Sequence, residues 1–380
     1  MLAMCLLGVL TGCKDEQQDR RHDYAVPVIE WTEGDADAVI GIPIVRSGSI
    51  GHEHAVGYQI QPLSAKLDAD IAGGQGTIVF KSGKSESSIP VTLRGDDHFE
   101  LREDFQILIT DQDRTLTVTV TIVDDDSMAP LVMDGDGYRS ASEYPSMETV
   151  WQEEFTGDAL NAADWNVETG NGCDQGICGW GNDELQLYSG DARYLKVGEG
   201  RLVITADRSG DLYRSARIQT RGKKEFTFGR IDMRARLPEG KGLWPAFWML
   251  GSSIATKPWP ACGEIDIMES LGQQPEVVHG TVHYSNNGYA TSTGSTSLVS
   301  GDFSDAFHVF TLIWERNKLV WYVDQQPFKT FQNNGIAGWP FNDPFYFVLN
   351  IAVGGRWPGA PDQTTVFPQS MEVDYIRVFR

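Results

Sequence analysis

Apolar and polar residues alternate with a period of two along much of this chain, which is typical of strands that bury one face. Residues 115–122 alternate threonine with apolar residues, and residues 230–237 alternate charged residues with Ile, Met, Ala and Leu. No run with a helical period is long enough to compete, so the pattern predicts an all-β protein. Further strands are expected at residues 39–45, 76–80, 105–110, 307–314, 319–324, 345–351 and 371–379.

The expected strands fall into two regions of different composition. Residues 27–126 carry 18 acidic and 7 basic residues, whereas residues 148–380 contain ten of the eleven tryptophans. Turn-rich segments separate the strands of the first region, which predicts a small antiparallel β-sandwich. The second region, with about 230 residues of alternating strands, predicts a larger β-jelly-roll sandwich. Residues 127–147, between the two, show no periodicity and are expected to be a linker.

The expected linker contains Asp134-Gly135-Asp136-Gly137, which invites comparison with a calcium-binding EF-hand loop. Tyr138 stands where that loop needs a third oxygen ligand, and no glutamate stands at the twelfth position. The segment is therefore not expected to bind calcium in this way.

The charge of the chain limits its partners. The sequence has 53 acidic and 31 basic residues and a formal net charge of −22. Such a surface repels polyanions. Nucleic acid is therefore not expected as a partner, and sulfated polysaccharides are disfavoured as substrates.

The first residues resemble a bacterial lipoprotein signal. Residues 1–10 are almost wholly apolar, and Leu10-Thr11-Gly12-Cys13 matches the lipobox that ends such signals. The resemblance implies a signal peptide at residues 1–12, a lipid on Cys13 and a polar tether at residues 13–26. The sequence departs from the pattern in having no Lys or Arg before the apolar run, and the alternative is an apolar tail with a chance Leu-x-Gly-Cys. We expect the protein to be exported and anchored by this lipid to the bacterial cell envelope, at the outer membrane or the cell surface. Beyond Cys13 no apolar run approaches the ~20 residues of a membrane-spanning helix.

Three cysteines lie outside the signal: Cys173, Cys178 and Cys262. Export implies an oxidising compartment, in which Cys173 and Cys178, in a glycine-rich loop, can close a small disulfide. The alternative is three reduced cysteines that serve as small packing residues. Their spacing matches no zinc site.

The acidic region resembles a Calx-β domain over about 100 residues. The likeness rests on Asp96-Asp97-His98-Phe99-Glu100-Leu101-Arg102-Glu103-Asp104-Phe105 and Thr121-Ile122-Val123-Asp124-Asp125-Asp126. Carboxylates gathered at strand ends repel one another unless a hard cation neutralises them. A calcium site is therefore expected, and the alternative is an acidic rim without metal on a module that serves as a spacer. The candidate ligands are Glu100, Glu103, Asp124 and Asp125.

Three acidic residues stand close together in Gly263-Glu264-Ile265-Asp266-Ile267-Met268-Glu269-Ser270. In a regular strand Glu264 and Asp266 share one face, and Glu269 lies on the other. A β-bulge at residues 267–268 would return Glu269 to the face of the other two. Carboxyl groups so close cannot all ionise, so one pKa rises and a general acid can coexist with an ionised nucleophile. The arrangement suits glycoside cleavage with retention, for which the reacting carboxyl groups lie ~5–5.5 Å apart.

The surrounding motifs resemble glycoside hydrolase family 16, in particular its laminarinase-like bacterial endo-β-1,3-glucanases. The likeness covers nearly all of residues 148–380, at residues 180–186, 242–250, 259–264, 279–283, 349–355 and 373–378. It implies that Glu264 is the nucleophile, Glu269 the general acid/base, and Asp266 the residue that holds and tunes the nucleophile. Two residues separate Asp266 from Glu269, as in the bulged laminarinase pattern, whereas lichenase-like members have one.

The same resemblance implies roles for further residues. Trp244 and Trp248 match cleft residues that stack on sugar rings, with core packing as the alternative. His283 matches a histidine near the cleavage point, with a framework role as its alternative. Sugar contacts are also implied for Asn182, Glu184, Arg234 and Trp357. Glu154 and Asp374 match ligands of a structural calcium, and no cofactor is implied for catalysis.

These observations predict a secreted, lipid-anchored and monomeric endo-β-1,3-glucanase whose partner is a β-glucan polysaccharide. One alternative is hydrolysis of another β-linked polymer of the same family, of the mixed-linkage glucan or agarose type. Another is a non-catalytic carbohydrate-binding protein on the same sandwich, which the presence of both Glu264 and Glu269 disfavours.

Overall fold

The computed structural model describes residues 22–380. Cys13 and the predicted signal peptide lie outside the described residues. The described residues divide into two compact units, 22–127 and 128–380, and both are built from strands, as the alternation predicted. Within residues 22–380 no helix has the length and apolar character needed to cross a bilayer.

The N-terminal unit is a sandwich of two sheets. Its strands are β1 (Tyr24–Ala25), β2 (Glu30–Thr32), β3 (Ala38–Arg46), β4 (His54–Pro62), β5 (Ile71–Ala72), β6 (Gln75–Phe80), β7 (Glu86–Leu93), β8 (Glu103–Asp111) and β9 (Arg114–Val123). One sheet has the order β1-β3-β7-β5 and the other the order β2-β9-β8-β4-β6. In β9 the predicted alternation is present, because Val120 and Ile122 are buried while Thr117 and Thr119 are exposed.

The C-terminal unit contains the remaining strands. They are β10 (Val132–Asp134), β11 (Gly137–Arg139), β12 (Thr149–Glu153), β13 (Asn166–Glu168), β14 (Gln186–Tyr188), β15 (Leu195–Gly198), β16 (Arg201–Ser209), β17 (Leu212–Ser215), β18 (Arg217–Gln219), β19 (Gly229–Arg236), β20 (Leu243–Gly251), β21 (Glu264–Ser270), β22 (Val277–Ser285), β23 (Tyr289–Ser297), β24 (His308–Glu315), β25 (Lys318–Val323), β26 (Gln326–Gln332), β27 (Phe345–Val353) and β28 (Gln369–Phe379). Short 3-10 turns lie at Cys173–Gln175, Cys178–Gly181 and Ser252–Ala255.

Two large sheets form most of this unit. The ten-stranded sheet has the order β14-β17-β16-β28-β19-β24-β25-β26, with β12 paired to β28 and β15 to β16. The seven-stranded sheet has the order β13-β18-β27-β20-β21-β22-β23. Apolar side chains from both sheets form one buried core, which includes Phe247, Ile265, Leu312, Trp321 and Phe347. The predicted two-sheet sandwich is therefore present.

Residues 127–147 are not a linker, in contrast to the expectation. β10 and β11 pair as a hairpin that belongs to the C-terminal unit. Asp134 forms an ion pair with Arg234 at 2.9 Å, and the Ser140 N–H donates to the Tyr375 hydroxyl at 2.8 Å. The hairpin strands have three residues each, which is too short for a period to appear in the sequence.

The charged face of β19 is buried as well. Ile231 and Met233 face the core as the alternation predicted, but Arg230, Asp232 and Arg234 on the other face are also 0% exposed. Residues 134–144 cover this second face. The alternation therefore identified the strand correctly and did not reveal that its polar side is covered.

Candidate active site

The three carboxylates of β21 share one face of the seven-stranded sheet. Asp266 is paired with Trp248 and Glu269 with Ala246, so β21 has one residue more than β20 in this interval. β22 shows the same shift between Asp266 and Glu269. The extra residue is the predicted β-bulge, and it returns Glu269 to the face of Glu264 and Asp266. We call this face, defined by the three carboxylates, the site face.

Each of the two glutamates accepts a hydrogen bond from an indole. Trp259 Nε1 donates to Glu264 Oε2 at 3.0 Å, and Trp244 Nε1 donates to Glu269 Oε1 at 2.9 Å. Both bonds fix a carboxylate and favour its charged form. Trp259 is not among the predicted site residues, although it lies only five positions before Glu264 in the sequence.

His283 joins the first two carboxylates of the cluster. Its Nε2 lies 3.2 Å from Asp266 Oδ2 and 3.6 Å from Glu264 Oε1, and its Nδ1 is hydrogen-bonded to the Tyr289 hydroxyl at 2.8 Å. Register explains the proximity, because His283 in β22 is paired with Glu264 in β21. The structure thus places His283 at the site, as predicted, and adds Tyr289 behind it.

The site is an electrostatically coupled cluster. Burial raises the pKa of Glu264, Asp266 and Glu269 above their usual values, and the Asp266 carboxylate raises the pKa of both glutamates further. The indole hydrogen bonds and His283 act in the opposite direction on the two glutamates. Like charges this close favour a shared proton, so the cluster can hold a general acid at neutral pH.

A buried lysine from the ten-stranded sheet lies behind the bulge. Lys329 Nζ donates to the Gly280 carbonyl at 3.1 Å and lies 4.3 Å from the ring centroid of Trp321. Gly280 stands in β22 between the partners of Asp266 and Glu269. Burial lowers the pKa of Lys329 to about 7, whereas the carboxylates of Asp266 and Glu269 act to raise it. The lysine therefore supplies positive charge to the carboxylates from the opposite sheet.

Trp321 supports the same strand. Its Nε1 donates to the Asp266 carbonyl at 2.9 Å, next to the bulge, where the ladder of β21 is interrupted. Gly280 leaves room for the ring, since a Cβ at this position would lie 2.6 Å from Trp321. Neither Trp321 nor Lys329 was predicted, because no local motif connects them to β21.

Comparison with known families agrees with this geometry. Residues 179–377, more than half of the chain, match the family described as glycosyl hydrolases family 16. The chain belongs to this family. Residues 15–128 match the Calx-beta domain. The resemblances to glycoside hydrolase family 16 and to the Calx-β domain are therefore confirmed.

The family 16 enzyme is similar to characterised proteins over its C-terminal unit. A β-glucanase of Rhodothermus marinus is 39% identical over 261 residues, and the match covers 64% of this chain and 89% of that protein. The glucan endo-1,3-beta-glucosidase A1 of Niallia circulans is 36% identical over 260 residues, covering 62% of this chain and 38% of that protein. The crystal structure of the laminarinase catalytic domain from Thermotoga maritima MSB8 has 44% identity and a TM-score of 0.57, covering 62% of this chain and 98% of that chain. The predicted architecture, a jelly-roll sandwich preceded by a smaller β-sandwich, is confirmed.

Trp248 lies on the site face of the family 16 enzyme in a polar setting. Its Nε1 donates to Asn350 Oδ1 at 2.9 Å. The Arg217 guanidinium lies over its ring at 4.9 Å and over the Trp180 ring at 4.4 Å. Trp248 is half-buried and packs against the small buried cluster of Leu250, Cys262, Tyr346 and Val348, so its predicted contact with sugar stays a prediction beside the packing alternative.

Trp357 and Trp244 form an aromatic corner beside Glu269. Their ring centroids are 5.3 Å apart in an edge-to-face arrangement, and Trp357 also contacts the His279 ring at 5.0 Å. Trp357 is 40% exposed. The structure therefore brings both predicted tryptophans to the site with surface available to a ligand.

Asn182 and Glu184 lie together in the segment that precedes β14. Glu184 accepts hydrogen bonds from Asn182 at 3.1 Å, Gln186 at 2.7 Å and Tyr188 at 3.3 Å, and it pairs with Gly354 beyond β27. Burial raises its pKa. The bonds show that Glu184 orders this segment, and its predicted contact with sugar stays a prediction.

The loop before this segment contains a disulfide. Cys173 and Cys178 are bonded to each other, whereas Cys262 is free and buried. The disulfide expected from export is therefore present, and the alternative of three reduced cysteines is wrong.

Arg234 is not a sugar-binding residue. It is 0% exposed in the ten-stranded sheet, where it forms ion pairs with Asp134 and Asp374 and donates to the Tyr138 carbonyl at 2.6 Å. The prediction is wrong because the sequence does not show that the β10–β11 hairpin covers this face of β19.

The calcium site expected at Glu154 and Asp374 is also not supported. Glu154 accepts two hydrogen bonds from Arg377, at 2.6 and 2.9 Å. Asp374 Oδ2 accepts from Arg234 at 2.6 Å and from Arg139 at 2.9 Å. Arginine guanidinium groups already neutralise both carboxylates, so these residues do not fit a cation.

The acidic cluster of the N-terminal unit, in contrast, has side chains that fit a calcium ion. Burial raises the pKa of Glu33 to about 8, of Glu100 to about 7 and of Glu103 to about 10, and neighbouring carboxylates, including Asp124, add to these shifts. Glu103 Oε2 and Asp126 Oδ2 are buried without a hydrogen-bond partner. These oxygens are the donor type that calcium prefers. Asp125, also predicted as a ligand, accepts the Gly34 N–H at 3.0 Å.

Proposed function

We propose that this family 16 enzyme is an endo-β-1,3-glucanase that works by double displacement, with Glu264 as the nucleophile and Glu269 as the general acid and base. The observation that carries the proposal is the bulge in β21, which places both glutamates and Asp266 on one face. The names of the relatives, β-glucanase, glucan endo-1,3-beta-glucosidase and laminarinase, support β-1,3-glucan as the substrate.

In the first step Glu264 attacks the anomeric carbon while protonated Glu269 gives its proton to the leaving glycosidic oxygen. The bond to the leaving oxygen breaks as the bond to Glu264 forms, which yields a covalent glycosyl-enzyme. Oε1 is the available nucleophilic atom, because Oε2 accepts the Trp259 hydrogen bond.

In the second step the Glu269 carboxylate takes a proton from water, which attacks the anomeric carbon and releases Glu264. His283 contacts the nucleophile from β22, and the charge of Asp266 keeps a proton within the cluster. The half-buried ring of Trp244 and the exposed ring of Trp357 offer surfaces on which a pyranose can stack.

The reaction course is tested by proton NMR of the first products from laminarin. A β-anomer that precedes mutarotation is expected, and an α-anomer would contradict double displacement. A parallel panel of lichenan, agarose and carrageenan tests the substrate. Turnover of agarose without turnover of laminarin would overturn the β-1,3-glucan assignment.

Two variants test the roles of the glutamates. Glu264→Ser is expected to lose nearly all turnover while it still binds oligosaccharide. Glu269→Gln should recover turnover with azide on substrates with good leaving groups and give a β-glycosyl azide, since azide needs no base. Glu276→Gln, in the connection after β21, is the control and should retain activity. Azide rescue of Glu264→Ser in place of Glu269→Gln would reverse the two roles.

We also propose that the N-terminal unit binds calcium through the cluster that includes Glu33, Glu100, Glu103 and Asp124. Support comes from Asp70, Glu100 and Glu103, whose ligand atoms lie within 4.8 Å of one another, and from Glu103 Oε2, which is buried without a hydrogen-bond partner. Calcium would neutralise this charge in the folded unit and would take no part in hydrolysis.

For the location of the enzyme, we propose export and attachment to the cell envelope through a lipid on Cys13, as a monomer. The support is the lipobox-like sequence alone. Expression in a bacterium with labelled fatty acid should label the wild type and leave Cys13→Ala unlabelled and released from membranes. Equal membrane retention of both proteins would refute the anchor, and a dimeric mass by light scattering would refute the monomer.

A further inference from the structure

Three ligand atoms meet on the site face beside the proposed nucleophile. Glu264, Asp266 and His283 each offer one ligand atom, and these three atoms all lie within 4.8 Å of one another. His283 Nε2 is 3.2 Å from Asp266 Oδ2 and 3.6 Å from Glu264 Oε1. Two carboxylate oxygens and one imidazole nitrogen form a donor set that differs from the all-oxygen clusters favoured by calcium and magnesium.

The two separations from His283 Nε2 match those between ligand atoms around a tetrahedral zinc ion. With Zn–N and Zn–O distances of about 2.0–2.2 Å, neighbouring ligand atoms are about 3.3–3.6 Å apart. The two distances from His283 Nε2 agree with this range to within about 0.1 Å. The two carboxylate oxygens, which lie within 4.8 Å of each other, would have to stand about 3.3–3.6 Å apart around the same ion.

An independent observation points into the same space. Asp266 is 3% exposed, and its Oδ2 is buried without a hydrogen-bond partner of acceptable geometry, although His283 lies beside it. A buried carboxylate oxygen without a partner is costly. Asp266 Oδ2 is therefore available to coordinate a cation.

The other two ligands are held from behind. The second oxygen of Glu264 is bonded to Trp259, and Nδ1 of His283 is bonded to the Tyr289 hydroxyl. Metal-binding histidines usually carry such a bond on the other ring nitrogen, which orients the ring and fixes its tautomer. Two of the three ligand residues are thus held in place by a hydrogen bond on their other polar atom.

We propose that Glu264, Asp266 and His283 form a binding site for a borderline divalent cation of the zinc class, and that the bound cation inhibits hydrolysis. The cation takes the Glu264 oxygen that attacks the sugar and neutralises its charge. It leaves a fourth position open to water, since the protein supplies three ligands. The binding part stands on the geometry alone, whereas the inhibitory part rests on the proposed role of Glu264 as nucleophile.

The direct test is a titration of the tag-free full chain with Co²⁺, whose visible spectrum reports tetrahedral coordination, in the presence of excess Ca²⁺ to fill the acidic N-terminal cluster. We expect one tetrahedral Co²⁺ per chain, displaced by Zn²⁺. His283→Asn should weaken this binding by about 100-fold or more, and Tyr289→Phe by about 10-fold, as for loss of an orienting partner.

His98→Asn is the matched control, because His98 belongs to the exposed group with Asp96 and Asp97, where a cation could also bind. It should retain the tetrahedral spectrum. Loss of the spectrum in His98→Asn, or its retention in a folded His283→Asn protein with an unchanged melting temperature, would overturn the site.

Inhibition is measured separately on laminarin. Zn²⁺ should inhibit the wild type over the concentration range in which it displaces Co²⁺, and laminari-oligosaccharides should protect. Full turnover by the zinc-saturated wild type would refute the inhibitory part. The Glu264→Ser assay independently tests the nucleophile, so failure of the zinc proposal and failure of the proposed function are distinguishable.

Discussion

Two indole N–H groups hold the two glutamates that we propose to react. Trp244 reaches Glu269 from β20, and Trp259 reaches Glu264 from the connection between β20 and β21. The sequence indicated Trp244 as a stacking residue. It did not indicate that the N–H engages Glu269, because this contact depends on the register of two strands and on the bulge.

Trp244→Phe should shift the pH dependence of hydrolysis. The indole hydrogen bond lowers the pKa of Glu269, so its removal raises that pKa and the acid stays protonated to higher pH. A hydrogen bond to a charged group is worth ~1.5–3 kcal/mol, which corresponds to a shift of roughly one pH unit or more. The alkaline limb of kcat/KM should therefore move to higher pH, with turnover reduced about 10-fold.

Trp248→Phe is the control for this experiment. It removes an equivalent indole N–H on the same strand, but that N–H is bonded to Asn350. The alkaline limb of this variant should stay in place. An equal shift in both variants would show that loss of ring packing, and not loss of the hydrogen bond, changes the titration.

At the scale of single elements, β21 depends on the opposite sheet. The spacing of Glu264, Asp266 and Glu269 was sufficient to predict the strand, the bulge and the shared face. Trp321 and Lys329, which contact this region from β25 and β26, could not be predicted. They are more than fifty residues distant in sequence, and only the packing of the two sheets brings them to the bulge.

Trp321→Phe should disturb both stability and catalysis. The change leaves the Asp266 carbonyl without its donor inside the core, which costs ~1–3 kcal/mol and lowers Tm by several degrees. Because the bulge positions the carboxylates, kcat should fall by more than KM rises. Calorimetry and steady-state kinetics on laminarin measure the two effects.

Trp314→Phe is a matched control for Trp321→Phe. Trp314 is also fully buried and also donates its N–H to a backbone carbonyl, that of Phe341, at 2.7 Å. It should lower Tm by a similar amount and leave kcat nearly unchanged. A comparable loss of kcat in both variants would make general destabilisation the explanation.

Lys329→Met should move the acidic limb of kcat to higher pH. The lysine cation lowers the pKa of Asp266. Removal of the cation therefore raises this pKa, and Asp266 ionises only at a higher pH. Because the pKa of Lys329 itself is about 7, its positive charge is largely lost above that pH, and the two enzymes should converge there. Lys318→Met, on the neighbouring strand with Glu315 as its partner at 3.4 Å, should leave the limb unchanged.

At the scale of the whole molecule, the sequence identified two units, their order and their fold class. Charge density separated the N-terminal unit, and tryptophan content marked the other. The misplaced residues, Arg234, Glu154 and Asp374, share one cause. Each forms an ion pair with an oppositely charged side chain that is distant in sequence, and the alternation of a single strand does not show such a partner.

Chelation should destabilise the N-terminal unit selectively. A ligand present at about 100 times its Kd stabilises the native state by ~2.7 kcal/mol. For a unit of about 100 residues, 1 kcal/mol corresponds to ~4–8 °C in melting temperature. Removing calcium from the full chain should therefore lower the melting temperature of this unit by roughly 10 °C or more. The melting temperature of the C-terminal unit should not change. Calorimetry with and without chelator measures the difference.

A variant with Glu100→Gln and Asp124→Asn is the reference for this measurement. It should melt at the same temperature with and without chelator, since it lacks two of the proposed ligands. If the melting temperature of the wild type is also unchanged by chelator, the unit is an acidic spacer without metal.

The β10–β11 hairpin determines where the catalytic part of this protein can be excised. A fragment that starts at Glu148 would remove Asp134 and Tyr138, two partners of the fully buried Arg234, and would open the polar face of β19 to water. Leaving a buried charge short of its partners costs ~3–5 kcal/mol, a large fraction of the stability of a typical domain. A gene fusion or a proteolytic fragment that preserves activity should therefore contain all of residues 128–380. The β10–β11 hairpin is thus part of the smallest fragment expected to be active.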